Sequence, residues 1–184
     1  IKEIKDGSKL MKEILKNKTL NRYEIFNIFS NQLSTKYKQK FCAEKFASYY
    51  SFICFKKIVE ESKEREGKKV LFKFLNSINA ECYLISATPQ NDLIKITDTL
   101  KISRDFNKIY GSPLTKQSAL LEIKKSNLKN EKIIIHVGDG LDDYYSAKTS
   151  NCKFIGVEGN GLEKIKGLKL VKNLEEIISI IKTY

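Results

Sequence analysis

The stretch EKIIIHVGDGLDDYYSAK, residues 131–148, begins with the pattern of a strand and ends with the pattern of a helix. Its apolar residues, Ile133 to Ile135 followed by Val137, are typical of a strand buried on both faces of a parallel sheet. Ligands of such sheets bind where the strands end. The turn at that point carries three carboxylates, Asp139, Asp142 and Asp143, within five residues. Gly and Asp are ordinary turn formers, but this placement favours a binding site.

Asp139 follows the strand directly, and Asp143 lies four residues later, inside the first turn of the helix, from where its side chain can point back to the same place. Two or three carboxylates, completed by water and a phosphate oxygen, suit Mg²⁺. We therefore expect a magnesium site here. His136 is the only histidine and lies within the strand. We interpret it as a core residue, or as one that supports the site, rather than as a catalytic group.

The remainder of the chain after residue 66 alternates short apolar strands with helices, which is typical of an α/β domain with a parallel sheet. We place a domain boundary near Gly67. Strands are predicted at 82–86, 106–110, 132–137, 153–157 and 168–171. Helices are predicted at about 70–78, 89–101, 116–128, 143–150 and 173–182.

The first 66 residues are predicted to be helical throughout. Ile4, Met11 and Ile14 have helical spacing, and Asn21 with Glu24 forms the pattern of a capping box at the start of a second helix. A third helix is predicted at roughly 40–61, with a wide aromatic and aliphatic face that we expect to be mostly core. That face comprises Phe41, Phe46, Tyr49, Tyr50, Phe52, Ile53, Phe55, Ile58 and Val59.

Two further strand ends carry polar residues. Thr88 precedes Pro89 and is predicted to cap the next helix, which leaves the Ser86 hydroxyl free to bind a phosphate oxygen beside the helix amides. Lys116 opens a helix that Thr115 is predicted to cap. The helix dipole opposes a cation there, unless an anion binds at the same place. Ser86 as a plain turn residue and Lys116 as a solvated lysine are the alternatives.

The composition constrains the function only broadly. The formal net charge is +12, but the basic residues are spread along the chain and form no basic run. A nucleic-acid-binding function is therefore the weaker alternative, and we expect no nucleic-acid partner. The four cysteines form no CxxC pair and are expected to be reduced thiols. Neither a signal peptide nor an apolar stretch of membrane-spanning length is present, so we expect a cytoplasmic protein without a membrane partner.

The segments ISATPQ, GSPLTK and VGDGLDDYYSAK, in this order, resemble the second, third and fourth motifs of the haloacid dehalogenase-like hydrolases. The segment NRYEIF and the helical first third resemble the phosphoglycolate-phosphatase-like branch of that superfamily. This resemblance implies an α/β fold with a Rossmann-like parallel sheet core at 67–184 and an α-helical cap domain at 1–66.

The resemblance also implies roles for particular residues. The residues that would bind the substrate phosphate are Ser86, Ala87, Thr88 and Lys116. Lys116 would also pair with the nucleophilic carboxylate, and Asp139 would ligate Mg²⁺. Asp143 would complete the acidic metal site by orienting a metal-bound water or Lys116, with Asp142 as a weaker candidate. Ser86, Lys116, Asp139 and Asp143 are thus the predicted catalytic residues.

One motif of this family is missing from the 184 residues: the strand that ends in Asp-x-Asp and supplies the nucleophile. In the family that strand lies at the centre of the sheet, between the strands that end here at Ser86 and Val137. We expect it to lie upstream of Ile1. The leading hypothesis is a Mg²⁺-dependent phosphatase of a small phosphorylated metabolite, acting through an aspartyl-phosphate. The alternatives are a phosphomutase, or an inactive relative that binds phosphate or a protein partner.

Overall fold

The computed structural model describes residues 7–17, 20–127 and 132–184. The chain divides into two compact units, Ile1–Ser62 and Lys63–Tyr184. The boundary predicted near Gly67 falls shortly after this division. Ile4, which was predicted to belong to the first helix, lies outside the described residues.

Within residues 7–17 and 20–62 the first unit forms three helices: α1 at Gly7–Ile14, α2 at Arg22–Tyr37 and α3 at Ala43–Glu61. The predicted capping box at the start of α2 is confirmed. Asn21 Oδ1 accepts a hydrogen bond from Glu24 N at 3.0 Å, and Asn21 N donates to Glu24 Oε2 at 2.7 Å. These two bonds satisfy amide groups that a helix start otherwise leaves without partners, and so they fix where α2 begins.

The core of the helical unit is small and consists of Ile14, Phe26, Phe29, Leu33 and Ala47. The Phe46 ring of α3 packs against Phe29 with 5.4 Å between ring centroids. The prediction that the wide face of α3 is mostly core is wrong. Tyr49 is 67% exposed, and Tyr50, Phe52 and Ile53 are exposed as well. A helix that packs against neighbours along one stripe leaves its other positions outside, whatever their hydrophobicity.

The second unit contains two parallel sheets. In one, β1 at Tyr83–Pro89 pairs with β2 at Lys108–Ser112. In the other, the order is β3 at Ile135–Gly138, β4 at Lys153–Val157 and β5 at Leu170–Val171. Within residues 63–127 and 132–184, β1 pairs only with β2 and β3 pairs only with β4. Each of these two strands therefore has an edge without a neighbouring strand.

In the described part of this unit, five α-helices accompany these strands. They are α4 at Lys68–Ser77, α5 at Gln90–Thr99, α6 at Lys116–Ser126, α7 at Leu141–Thr149 and α8 at Glu176–Ile181. Short 3₁₀ turns occur at Ser103–Asp105 and Leu162–Lys164. Leu71 of α4 and Ile177 of α8 are buried with Ile155 and Val157 of β4 in one cluster. Ala119 and Ile123 of α6 are buried with Tyr110 of β2 in another, against which Tyr83, Ile85 and Ile134 pack.

The strand in the opening stretch differs from its prediction. It begins at Ile135 rather than at residue 132, and the side chains of Ile133 and Val137 are exposed. The prediction of burial on both faces is therefore wrong. Among the described residues β4 is the one strand that pairs with β3, so side chains near the opposite edge of β3 have no neighbouring strand beside them.

The segment after Ser86 also differs from its prediction. β1 continues to Pro89, which pairs with Ser112, and the pairing is irregular between Ile85 and Pro89. Helix α5 therefore begins at Gln90, and Thr88 does not cap it. The prediction of Thr88 as an N-cap is wrong because pairing with β2 keeps this segment extended. Among the described residues, no helix is both long enough and apolar enough to span a bilayer.

Candidate active site

The candidate residues lie where parallel strands end. Lys116 is the first residue of α6, four residues after β2, and Thr115 caps this helix by accepting a hydrogen bond from Ser118 N at 3.1 Å, as predicted. Asp139 follows β3, and Asp143 is in the first turn of α7. The peptide bond between Ser112 and Pro113, in the loop that leads to Lys116, is cis.

A buried ion pair joins the segments that follow β2 and β3. Lys116 Nζ lies 2.8 Å from Asp143 Oδ1, and the two side chains are only 17% and 10% exposed. Lys116 Nζ also lies 3.2 Å from Asp142 Oδ2, but the Asp142 side chain is 75% exposed. Water weakens an ion pair of an exposed carboxylate, so Asp143 is the stronger partner. Lys116 is therefore not the solvated lysine of the alternative interpretation.

Three groups lie within hydrogen-bond distance of the Asp143 carboxylate and hold it in place. Besides Lys116, His136 Nε2 lies 3.0 Å from Asp143 Oδ1, and Gly140 N donates to Asp143 Oδ2 at 3.2 Å. Gly138 makes the close approach possible, because a Cβ at this position would overlap the Asp143 Cβ and Cγ atoms. The sequence pattern identified Asp143, but the contact between His136 and Asp143 is visible only in the structure.

The ion pair shifts the pKa values of both partners. Burial by itself would raise the pKa of Asp143, but the hydrogen bonds from His136 and Lys116 and the charge of Lys116 outweigh it, so that the pKa falls to about 2. Burial by itself would lower the pKa of Lys116, but its bonds to Asp143 and Asp142 outweigh this effect and raise it. The lysine is therefore a permanent cation at the strand ends.

Asp139 is exposed and lies in a different set of contacts. Asn160 Nδ2 donates to Asp139 Oδ2 at 3.1 Å. Asn160 lies in the loop after β4 and was not identified from the sequence. The signal available was the turn segment VEGNGLE, residues 157–163, at the end of the fourth strand, β4. The contact brings the loops after β3 and β4 together.

The donor set around Asp139 fits a hard cation that also binds water and phosphate. Asp139 offers carboxylate oxygens, which Mg²⁺ prefers, while Asn160 directs its amide nitrogen to one of them. In the part of the chain that the structure describes, no group of three or more His, Cys, Asp and Glu side chains is arranged to hold a metal ion. A metal here would therefore need ligands from water or substrate. Both Asp143 oxygens already accept hydrogen bonds, so its role as a direct ligand stays a prediction.

Ser86 is half-buried near the end of β1 and makes local hydrogen bonds. Its Oγ donates to Thr88 Oγ1 at 3.1 Å and accepts from Thr88 N at 3.1 Å. Ala87, between them, is exposed. The structure thus brings together Lys116, Asp142 and Asp143, while Ser86 and Asp139 contact other residues. The phosphate-binding role of Ser86, Ala87 and Thr88 stays a prediction.

The chain belongs to the haloacid dehalogenase-like hydrolases, since the sequence profile of that family matches residues 2–157. A comparison with curated protein sequences found no match. The predicted family and the predicted fold, a Rossmann-like parallel-sheet core with a helical cap, are thereby confirmed.

Solved structures share this fold at low sequence identity. A predicted phosphoglycolate phosphatase from Haemophilus somnus has a TM-score of 0.68 at 13% identity, with 96% of this chain and 90% of that chain covered. A predicted phosphatase from Clostridium acetobutylicum has a TM-score of 0.61 at 20% identity, with coverage of 97% and 92%. CbbY from Rhodobacter sphaeroides, solved with phosphate, has a TM-score of 0.65 at 14% identity, with coverage of 90% and 77%.

Proposed function

We propose that this protein is a Mg²⁺-dependent phosphatase that hydrolyses a small phosphorylated metabolite through an aspartyl-phosphate. The observation that carries the proposal is the buried pair of Lys116 and Asp143 at the strand ends of a haloacid dehalogenase-like hydrolase. A permanent cation in a place with little water stabilises the charge that spreads over the phosphoryl oxygens during transfer. The names of several structural neighbours support the same reaction class.

In this proposal Lys116 and Asp143 act as a unit. The Asp143 carboxylate holds the Lys116 ammonium group in one place, and the ammonium directs another of its N–H groups to an oxygen of the transferring phosphate. The Ser86 hydroxyl and the backbone near Ala87 and Thr88 bind other phosphate oxygens. The contacts of Asp143 support this positioning role, because its oxygens face Lys116, His136 and Gly140 N.

We assign the metal to Asp139, with Asn160 as a neighbour and water or substrate oxygens as further ligands. When bound, Mg²⁺ supplies a Lewis acid and a template for the phosphate. Asp139 is exposed, and its contact with the neutral amide of Asn160 leaves its charge uncompensated by any contact found in the described residues. A cation that arrives with the substrate would meet no competing ion pair at Asp139.

The nucleophile in this proposal is the first carboxylate of an Asp-x-Asp segment that precedes Ile1. Its oxygen attacks phosphorus while the alcohol oxygen of the substrate leaves with a proton from the second Asp, and water then hydrolyses the acyl phosphate. The open edges of β1 and β3 support this placement. A parallel strand between them would pair with both edges, and its carboxyl end would lie on the same side as Lys116 and Asp143.

The test compares two lysines of the same helix in the complete protein, by which we mean residues 1–184 together with the Asp-x-Asp segment that we propose to precede them. Lys116→Met removes the cation from the site, whereas Lys125→Met removes an exposed cation elsewhere on α6. We expect at least about a 100-fold loss of Mg²⁺-dependent phosphomonoester hydrolysis in the first variant and little change in the second. Equal activity in both variants would contradict the proposal.

The same experiment decides between the enzyme and its main alternative. An inactive relative would bind inorganic phosphate in a Lys116-dependent manner but release no phosphate from any phosphomonoester. A phosphomutase would instead convert one sugar phosphate into another. One structural neighbour, from Thermotoga maritima, carries the name of a beta-phosphoglucomutase. Analysis of products by ³¹P NMR separates these outcomes.

A further inference from the structure

We infer that His136 is a positioning residue of this site: its Nε2–H donates to Asp143 Oδ1 and fixes the carboxylate plane that holds Lys116. The inference rests on the proposed function for its catalytic consequence, but the hydrogen bond itself is independent of any activity. His136 lies in β3 and is buried, as is Asp143 in the first turn of α7. The two groups are separated by 3.0 Å between Nε2 and Oδ1.

The geometry around the carboxylate requires a particular nitrogen to carry the proton. Asp143 forms a buried ion pair with the Lys116 ammonium at 2.8 Å and accepts a hydrogen bond from Gly140 N, and the carboxylate of an ion pair only accepts hydrogen bonds. At 3.0 Å the imidazole nitrogen that faces it must therefore be the donor. This conclusion holds whether the ring carries one proton or two, since only the proton on Nε2 is needed.

The hydrogen bond from His136 restricts the last side-chain torsion of Asp143, which otherwise varies widely. Rotation of a carboxylate about its last bond has broad, two-fold minima. Lys116 has a long, flexible side chain that can follow Asp143 Oδ1 as it moves, so this pair alone does not fix the plane. His136 sits on a strand, and Gly140 N donates to the second oxygen, Asp143 Oδ2. These two donors on the backbone framework define the plane, and Lys116 Nζ then takes its position 2.8 Å from Oδ1.

A purely apolar role for His136 does not account for these contacts. The ring lies 6.1 Å from the Phe154 ring, a contact that an apolar side chain of similar size would also make. Burial of an imidazole N–H is costly without an acceptor, and Asp143 is the acceptor it faces. An apolar residue would thus serve packing equally well, while the imidazole adds a donor directed at the site.

The structural half of the inference is tested by NMR of the imidazole nitrogens. Because His136 is the only histidine of residues 1–184, its ring signals need no assignment to a residue, and Nδ1 and Nε2 are told apart by their different couplings to the two ring C–H hydrogens. We expect Nε2 to carry a proton near neutral pH and to lose this preference in Asp143→Asn, whose amide presents hydrogens as well as an oxygen. Asp142→Asn, at the exposed neighbouring carboxylate, should leave the signals unchanged. An unprotonated Nε2, or the same spectrum in Asp143→Asn, would overturn the inference.

The functional half is tested in the complete protein with two substitutions of similar size. His136→Met removes the donor, and His136→Gln keeps an N–H at about the same reach. We expect His136→Met to lower kcat about 10- to 100-fold with a much smaller change in KM, and His136→Gln to recover most of kcat. Equal losses in both variants would mean that His136 only packs. If the wild-type protein hydrolyses nothing, the proposed function fails, while the NMR result still decides the hydrogen bond.

Discussion

Acidification should weaken the fold, and protonation of Asp143 should account for a defined part of the loss. Its pKa is about 2 in the folded protein, against an ordinary value of 3.8. A carboxyl group whose pKa is lowered by folding stabilises the folded state above its unfolded pKa, and this contribution is lost as the pH falls through the folded pKa. A difference of nearly two pKa units corresponds to about 2 kcal/mol at pH 7. About 1 kcal/mol of this should already be lost at pH 3.

The measurement is the free energy of urea unfolding between pH 6 and pH 3, followed by circular dichroism because the chain has no tryptophan. Other carboxyl groups titrate in the same range, so the informative quantity is the difference between the wild type and Asp143→Asn. That difference should shrink as the pH falls. Asp142→Asn is the matched control: it contacts the same lysine but is exposed, so its effect should be under about 0.5 kcal/mol. If Asp143→Asn leaves the pH dependence unchanged, the buried ion pair does not stabilise the protein.

Three further predictions concern single side chains. Asp139→Asn should abolish Mg²⁺-dependent turnover of the complete protein. Because this side chain is exposed, the substitution should change the free energy of unfolding by less than about 0.5 kcal/mol. Normal activity over a Mg²⁺ titration would contradict the assignment of Asp139 to the metal. Gly138→Ala should cost about 1–3 kcal/mol in the same unfolding assay, since the new methyl group meets Asp143; an unchanged stability would show that the close approach is not required. Tyr49→Ser should cost under about 0.5 kcal/mol, and Phe26→Ala about 3–5 kcal/mol, and similar values for the two would contradict the burial described for α2 and α3.

Local signals predicted local structure well. The capping pairs at Asn21 and at Thr115 depend on residues three positions apart, and the structure forms both as predicted. The prediction for Thr88 failed because a non-local contact was stronger: pairing with β2 keeps the chain extended to Pro89. A cap pattern read from the sequence contains no information on which strand will pair beside it.

The same distinction separates the site residues that were predicted from those that were missed. Lys116 and Asp143 each lie just after a strand, so their closeness follows from the parallel arrangement of strands. The contact of Asp139 with Asn160 spans 21 positions and depends on how the loops after β3 and β4 lie. His136 is part of the sequence motif, but the motif does not show that its ring lies on the side of β3 that faces Asp143.

The helical unit shows where a hydrophobic sequence pattern fails to predict which side chains are buried. The aromatic and aliphatic residues of α3 surround most of the helix, so the sequence defines no single apolar stripe. The structure buries Ala47 and packs Phe46 against α2, and it leaves Tyr49 and Phe52 exposed. Side-chain size and hydrophobicity were therefore poor guides to burial here, because the available partner surface decides which stripe packs.

The central proposal is that the catalytic nucleophile belongs to a segment outside residues 1–184, on a strand that fits between β1 and β3. The most direct measurement is Mg²⁺-dependent release of phosphate from a panel of phosphomonoesters, by residues 1–184 alone and by the same chain with its preceding sequence. We predict turnover only for the longer chain, and its loss when the first Asp of the added Asp-x-Asp segment is changed to Asn. Turnover by residues 1–184 alone, or none by the folded longer chain, would contradict this account.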